Sequence, residues 1–184
     1  MTRGPVVRLS LLIVLALVGI VRGAETFSAV ATVKTAGGTT STTPVSITVD
    51  RVTPDREAET LVAAFKASGV DGLRKALKGV PSTGSVTLGG GAPTPTRMTI
   101  ERRTDKGRLL TIVTDTPLFF LGAGQPTAKP KAGYDFAVLD LEIESGGTGS
   151  GTLAPAARIT VKQGAFVVED YGAEAVRLTV KPAR

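Results

Sequence analysis

The chain contains no cysteine, no histidine and no tryptophan among its 184 residues. Each absence closes a chemistry. Without cysteine, no disulfide staples the fold, no thiolate attacks a substrate, and no lipid attaches through a thioether. Without histidine, the commonest acid/base group at neutral pH and the usual imidazole metal ligand are missing. Ser-His-Asp triads, Cys-His dyads, Cys/His zinc sites, axial-His haem and cysteine-held iron–sulfur clusters are all out of reach. Aromatic residues make up 4% of the chain. That is too few for the two girdles of a transmembrane barrel, and it leaves little with which to stack sugars or bases. Any chemistry must rest on carboxylates, lysine or tyrosine.

The N-terminus reads as a secretory signal over residues 1–23. Arg3 and Arg8 give a basic start, and Leu9 to Val21 is a 13-residue apolar run broken by Ser10 and Gly19. A membrane-spanning helix needs roughly 20 such residues, and a short run before small residues is the pattern of a cleaved signal. The expected cut lies between Gly23 and Ala24. An uncleaved anchor is the alternative, because Arg22 ends the apolar run. No twin arginine precedes that run, so Sec-type export is expected, to the periplasm or the exterior. Cleavage would leave 161 residues, 24–184, read as a single β-rich domain. It removes Arg3, Arg8 and Arg22, so 19 basic residues face 16 acidic ones and the net charge falls from +6 to +3. That balance gives no reason to expect a nucleic-acid partner, and no stable membrane span is expected after cleavage.

Period-2 alternation dominates the mature chain. Phe27, Ala29, Ala31 and Val33 share one face of a first strand, and Val45, Ile47 and Val49 share one face of a second. Ala137, Leu139, Leu141 and Ile143 alternate with Asp140, Glu142 and Glu144. Further strands are expected at 85–88, 97–103, 108–114, 152–162, 165–169 and 175–181. Gln163-Gly164 reads as a tight turn and Pro155 as an edge or bulge. Thr104 to Gly107 reads as a turn in which Gly107 supplies positive φ. Gly146 to Gly151 reads as a loop, and Gly89 to Thr96 as a linker. One stretch has helical period. Thr53 is placed to N-cap, Pro54 to start the helix, and Ala58, Leu61, Val62 and Phe65 form its apolar stripe. Gly69 ends it, and a second helix follows at 72–78. The fold expected is mainly β: an antiparallel sandwich or partly closed barrel of about nine strands, with one inserted helical hairpin at about residues 54–78.

Candidate sites are few. Asp140, Glu142 and Glu144 form an acidic row that reads as a solvated strand face rather than a cation site, since no Asp-rich loop accompanies it. Arg102, Arg103, Lys106 and Arg108 gather at one turn, interleaved with Glu101 and Asp105. They read as a charged hairpin tip. Neither Gly89–Gly91 nor the Gly122/Gly124 pair has the helix or spacing of a phosphate loop. Leu118, Phe119, Phe120 and Leu121 read as core if the run is a strand buried on both faces; exposed, with Tyr134 after the loop at 122–133, they form the candidate ligand or partner patch. No catalytic residue, metal ligand or cofactor site is assigned. The functional expectation is an exported envelope or extracellular module that binds an unknown ligand or protein. The alternatives are a carboxylate-dependent hydrolase of an extracellular polymer, using some of Asp115, Asp140, Glu142, Glu169 and Asp170, and a structural subunit of an envelope assembly.

Overall fold

The computed structural model describes residues 23–34, 38, 40–118, 132–170 and 175–182. The signal reading therefore falls, apart from Gly23, outside the described residues. Nine strands and one helical insertion follow in the order β1 (Glu25–Lys34), β2 (Thr40–Val49), α1 (Asp55–Gly79), β3 (Gly84–Leu88), β4 (Thr94–Thr104), β5 (Gly107–Thr114), β6 (Phe136–Glu144), β7 (Gly149–Lys162), β8 (Ala165–Asp170) and β9 (Val176–Pro182). Every strand pairing is antiparallel. The strands β1 to β7 run as a meander, β9 inserts between β7 and β1, and the ring closes as an eight-stranded barrel. The strand β8 stands outside the ring and pairs with β7. The expected partly closed barrel is thus a fully closed one with an added strand. Of residues 89–96, read as a linker from their composition, 94–96 belong to β4, and 89–93 join the two paired neighbours β3 and β4.

Alternation decides what the barrel holds. In β6, Ala137, Leu139, Leu141 and Ile143 point to the lumen and are at most 3% exposed, while Phe136 and Val138 point to the outer wall. The lumen is completed by Phe27, Ala29 and Ala31 of β1, Ile47 of β2, Leu110 and Ile112 of β5 and Leu178 of β9. Small residues on β1 face large ones on β5 and β6. An eight-stranded ring is just wide enough for such side chains to fill it. Each buried leucine or isoleucine contributes about 1.5–3 kcal/mol in transfer free energy.

A second core lies outside the ring. Leu61, Leu73 and Leu77 of α1 cluster with outward residues of the wall, among them Met98, Val113, Phe136 and Val138. Ser68 and Gly69 leave helical geometry, Gly69 at φ 61°, so α1 is two helical segments joined at the expected glycine. Its ends are sewn to β4. The Thr53 N–H donates to the Thr99 carbonyl at 2.8 Å, and the Thr99 N–H donates to Thr53 Oγ1 at 2.9 Å. This corrects the expected role of Thr53: it does not cap α1, which has no side-chain cap, and Pro54 takes the capping position instead. Arg51 clasps both ends, pairing with Glu57 at 2.9 Å and donating to the Pro81 carbonyl at 2.8 Å. Buried hydroxyls of Thr83, Thr96 and Thr99 link at 2.9 Å across the exit.

Two glycine readings also need correction. Gly149 and Gly151, expected in a loop, lie in β7; a Cβ there would sit 2.1 and 2.3 Å from carbonyl oxygens of Glu142 and Asp140. Close strand approach, not turn geometry, requires them. Gly107 is likewise not at positive φ, and a Cβ on it would lie 2.1 Å from the Ile143 carbonyl oxygen. Gln163-Gly164 is the tight turn expected, with φ of 51° and 79°. Pro155 sits within the register shift where Phe136 pairs with Ala157 and Val138 with Ala154. Beyond that bulge the second half of β7 leaves β9 and carries β8 instead.

Candidate functional site

The outer core is covered unevenly. On one side runs the first segment of α1; on the other, the β7–β8 ribbon. The two meet edge to face at Phe65 and Phe166, whose ring centroids are 6.0 Å apart. Beside that contact a cleft of about 550 Å³ remains open. Its α1 wall presents Ala58, Val62 and Ala63, its floor Met98 and Ile100 of β4, and its far wall Ala165 and Phe166 of β8. A smaller lobe of about 330 Å³ continues between β8 and the outward face of β5 and β6, over Leu109, Val113 and Val138. Arg102, Thr111 and Phe166 line both lobes. The cleft's volume falls in the range of small-molecule clefts.

Five charged side chains border this cleft. Asp55, Glu59 and Lys66 rise from α1, Arg102 from β4 and Asp140 from β6. Asp140 is engaged, accepting the Thr111 hydroxyl at 2.6 Å. Arg102 is exposed, and its side chain makes no ion pair or hydrogen bond among the described residues.

The barrel is closed at both mouths. At one, Arg108 of β5 reaches to Glu25 of β1, directly opposite it across the eight-stranded ring, and also to Glu101 of β4 at 3.3 Å. Its guanidinium lies 5.7 Å from the Phe27 ring centroid. The hydrogen bond to Glu25 raises the Arg108 pKa most, against a lowering by burial. At the other mouth Leu118 packs into the lumen, 4% exposed, and its N–H donates to the Pro155 carbonyl at 2.8 Å. Among the described residues no buried side-chain N or O lacks a partner.

The candidate patch is placed in part. Leu118 plugs the barrel. Tyr134 is buried beside the β7–β8 ribbon, its hydroxyl donating to Asp170 at 2.5 Å with the Arg158 guanidinium 5.4 Å from its ring centroid. Phe119, Phe120 and Leu121 lie outside the described residues. The hydrogen bond to Asp170, followed by burial, raises the Tyr134 pKa. The basic turn divides: Arg108 closes the mouth, Arg103 lines the shallow depression above it, and Arg102 faces the cleft.

Of the five candidate carboxylates only Asp140 lines the cleft. Asp115 pairs with Arg97 at 3.0 Å, Glu169 and Asp170 with Arg158 at 3.4 Å, and Glu142 is exposed. In the acidic row Glu144 is exposed as well, and no group of three metal-ligating side chains forms among the described residues. No described helix is long and apolar enough to cross a membrane.

The residues that line the cleft were missed as a site because no local signal joins them. One clue was present: Met98 and Ile100 are apolar on a strand face that a lone barrel turns to water, so something had to cover them. Ala58 and Val62, read as core stripe, flank Leu61 and face the cleft instead. No protein-family model matches the chain, and comparison with curated proteins and with solved structures returns no match.

Proposed function

We propose that the chain is exported by a Sec-type signal cut between Gly23 and Ala24. It then works in the periplasm or outside the cell as a non-catalytic module that binds a ligand in the cleft between α1 and β8. One observation carries the site: the lumen is filled by its own side chains, while the outer wall keeps an apolar cleft of about 550 Å³. Of the candidate carboxylates only Asp140 lines the cleft, which favours binding over hydrolysis. Two measurements test the reading. The exported protein should begin at Ala24; an intact Met1 in the exported fraction contradicts the signal. An anilinonaphthalene sulfonate dye should bind saturably to the mature protein, and Ala63→Phe, which fills the cleft from an exposed helix position, should abolish that binding. Undiminished dye binding by the variant places the site elsewhere.

A second reading, a subunit of an envelope assembly, is favoured by β8, which pairs with β7 alone among the described strands and leaves one edge free. Strand addition there would give an oligomer by sedimentation that Val167→Lys disperses; a monomer at all concentrations removes this reading.

A further inference from the structure

We infer that the cleft selects an uncharged, largely apolar small molecule. The inference rests on the binding reading above and adds the chemical class of the occupant. The main cleft is bordered by two carboxylates, Asp55 and Glu59, and by two cations, Lys66 and Arg102. All four residues are exposed, and none of their side chains makes an ion pair among the described residues. The smaller cavity adds Asp140, so three carboxylates stand against two cations. The Thr111 hydroxyl gives Asp140 a hydrogen bond and leaves its charge in place. The signs nearly balance, so neither an anion nor a cation meets a strong opposing field. Exposed charges are also screened by water and salt, and they hold an opposite charge only weakly.

The rest of the lining offers a charge nothing. Apart from Thr111, whose hydroxyl is donated to Asp140, the other lining side chains are apolar, among them Val62, Met98, Ile100 and Phe166. Among the described residues no buried side-chain N or O lacks a partner, so none is held ready for a charged head. A charged occupant entering between α1 and β8 gives up hydration, and that loss is large unless a partner replaces it. An uncharged apolar occupant covers the same side chains and gives up little, since removing apolar surface from water is itself favourable. Desolvation therefore selects against either sign of charge.

The test follows displacement of the uncharged dye N-phenyl-1-naphthylamine from the mature protein at neutral pH and low salt. The competitors share one ring system and differ in the head: 1-naphthalenemethanol, 1-naphthoate and 1-naphthylmethylammonium. The alcohol should bind about tenfold more tightly than either ion. Glu59→Gln and Arg102→Gln each remove an exposed charge and should leave the alcohol's affinity within about twofold. If either ion binds as tightly as the alcohol, or either variant weakens the alcohol about tenfold, the uncharged class is wrong and the cleft stands as a site for another ligand. If neither dye nor alcohol binds, or Ala63→Phe leaves both bound as before, the cleft reading falls with the inference.

Discussion

The two hydrophobic cores of this protein sit on opposite faces of the same strands. In β6, Leu139 turns inward and Val138, next to it, turns outward. The inner core is closed on every side: by eight strands around it, by Arg108 at one mouth and by Leu118 at the other. The outer core has only a broken helix and a two-stranded ribbon to cover it. Phe65, Ile100, Phe166 and Val168 pack there while still half exposed. An eight-stranded ring can be filled by side chains or hold one small ligand; here Phe27, Ile47, Ile112, Leu139 and Leu178, each at most 5% exposed, pack the lumen. The outer wall is covered only from outside, and space is left between its two covers. In this molecule the inner face holds the fold, and the proposed ligand site lies on the outer face.

Four perturbations should separate the two cores. The largest effect belongs to the lumen. Leu139→Ala should cost about 2–5 kcal/mol in denaturant unfolding, because a closed ring cannot collapse onto the cavity. A loss below about 1 kcal/mol would mean the inner core is loose. Next, Phe65→Ala should cost about 2 kcal/mol, less than a fully buried phenylalanine because the ring is only partly buried where it packs on the outer core and on Phe166. A loss as large as that of Leu139→Ala would erase the difference between the cores.

The mouth lock comes third. Arg108→Met should cost about 1 kcal/mol at low salt and less at high salt, as expected of a partly exposed charged cluster. A loss indifferent to salt would assign Arg108 to packing on Phe27. The smallest effect concerns Tyr134, beside the ribbon that covers the outer core. Its folded pKa is raised, so the phenol is favoured in the folded state. The stability it contributes is complete below the unfolded tyrosine value of about 10 and is lost as pH rises through the folded value. Melting temperature should fall over that range, and Tyr134→Phe should flatten the fall. An identical profile for the variant would remove Tyr134 from the ribbon's support.

The sequence made the inner core legible and the outer one only in outline. Alternation such as Ala137, Leu139, Leu141 and Ile143 states which side of a strand is buried, and lumen residues obey it strand by strand. Gly69 and the Gln163-Gly164 turn were equally readable, because backbone geometry at a single position determines them. Closure of the ring was not, since the pairing of β9 with both β1 and β7 joins segments far apart in the chain. The departure of β8 from the barrel follows from the bulge at Pro155, of which a lone proline gives the place and not the consequence. Gly149 and Gly151 misled because glycine serves loops and close strand contacts alike. The cleft was invisible for a related reason. Ala63, Ile100 and Phe166 come from three separate elements, and only the docking of α1 and the ribbon brings them face to face.

The central claim is that ligand binds on the outer wall and the lumen takes none. Methyl resonances read both faces at once. The anilinonaphthalene sulfonate dye should be titrated into mature protein carrying labelled methyl groups. Shifts in Val62, Met98 and Ile100, with Ile47, Ile112 and Leu139 unmoved, are the predicted result. Shifts concentrated in Ile47, Ile112 and Leu139 would contradict it and put the ligand inside the barrel.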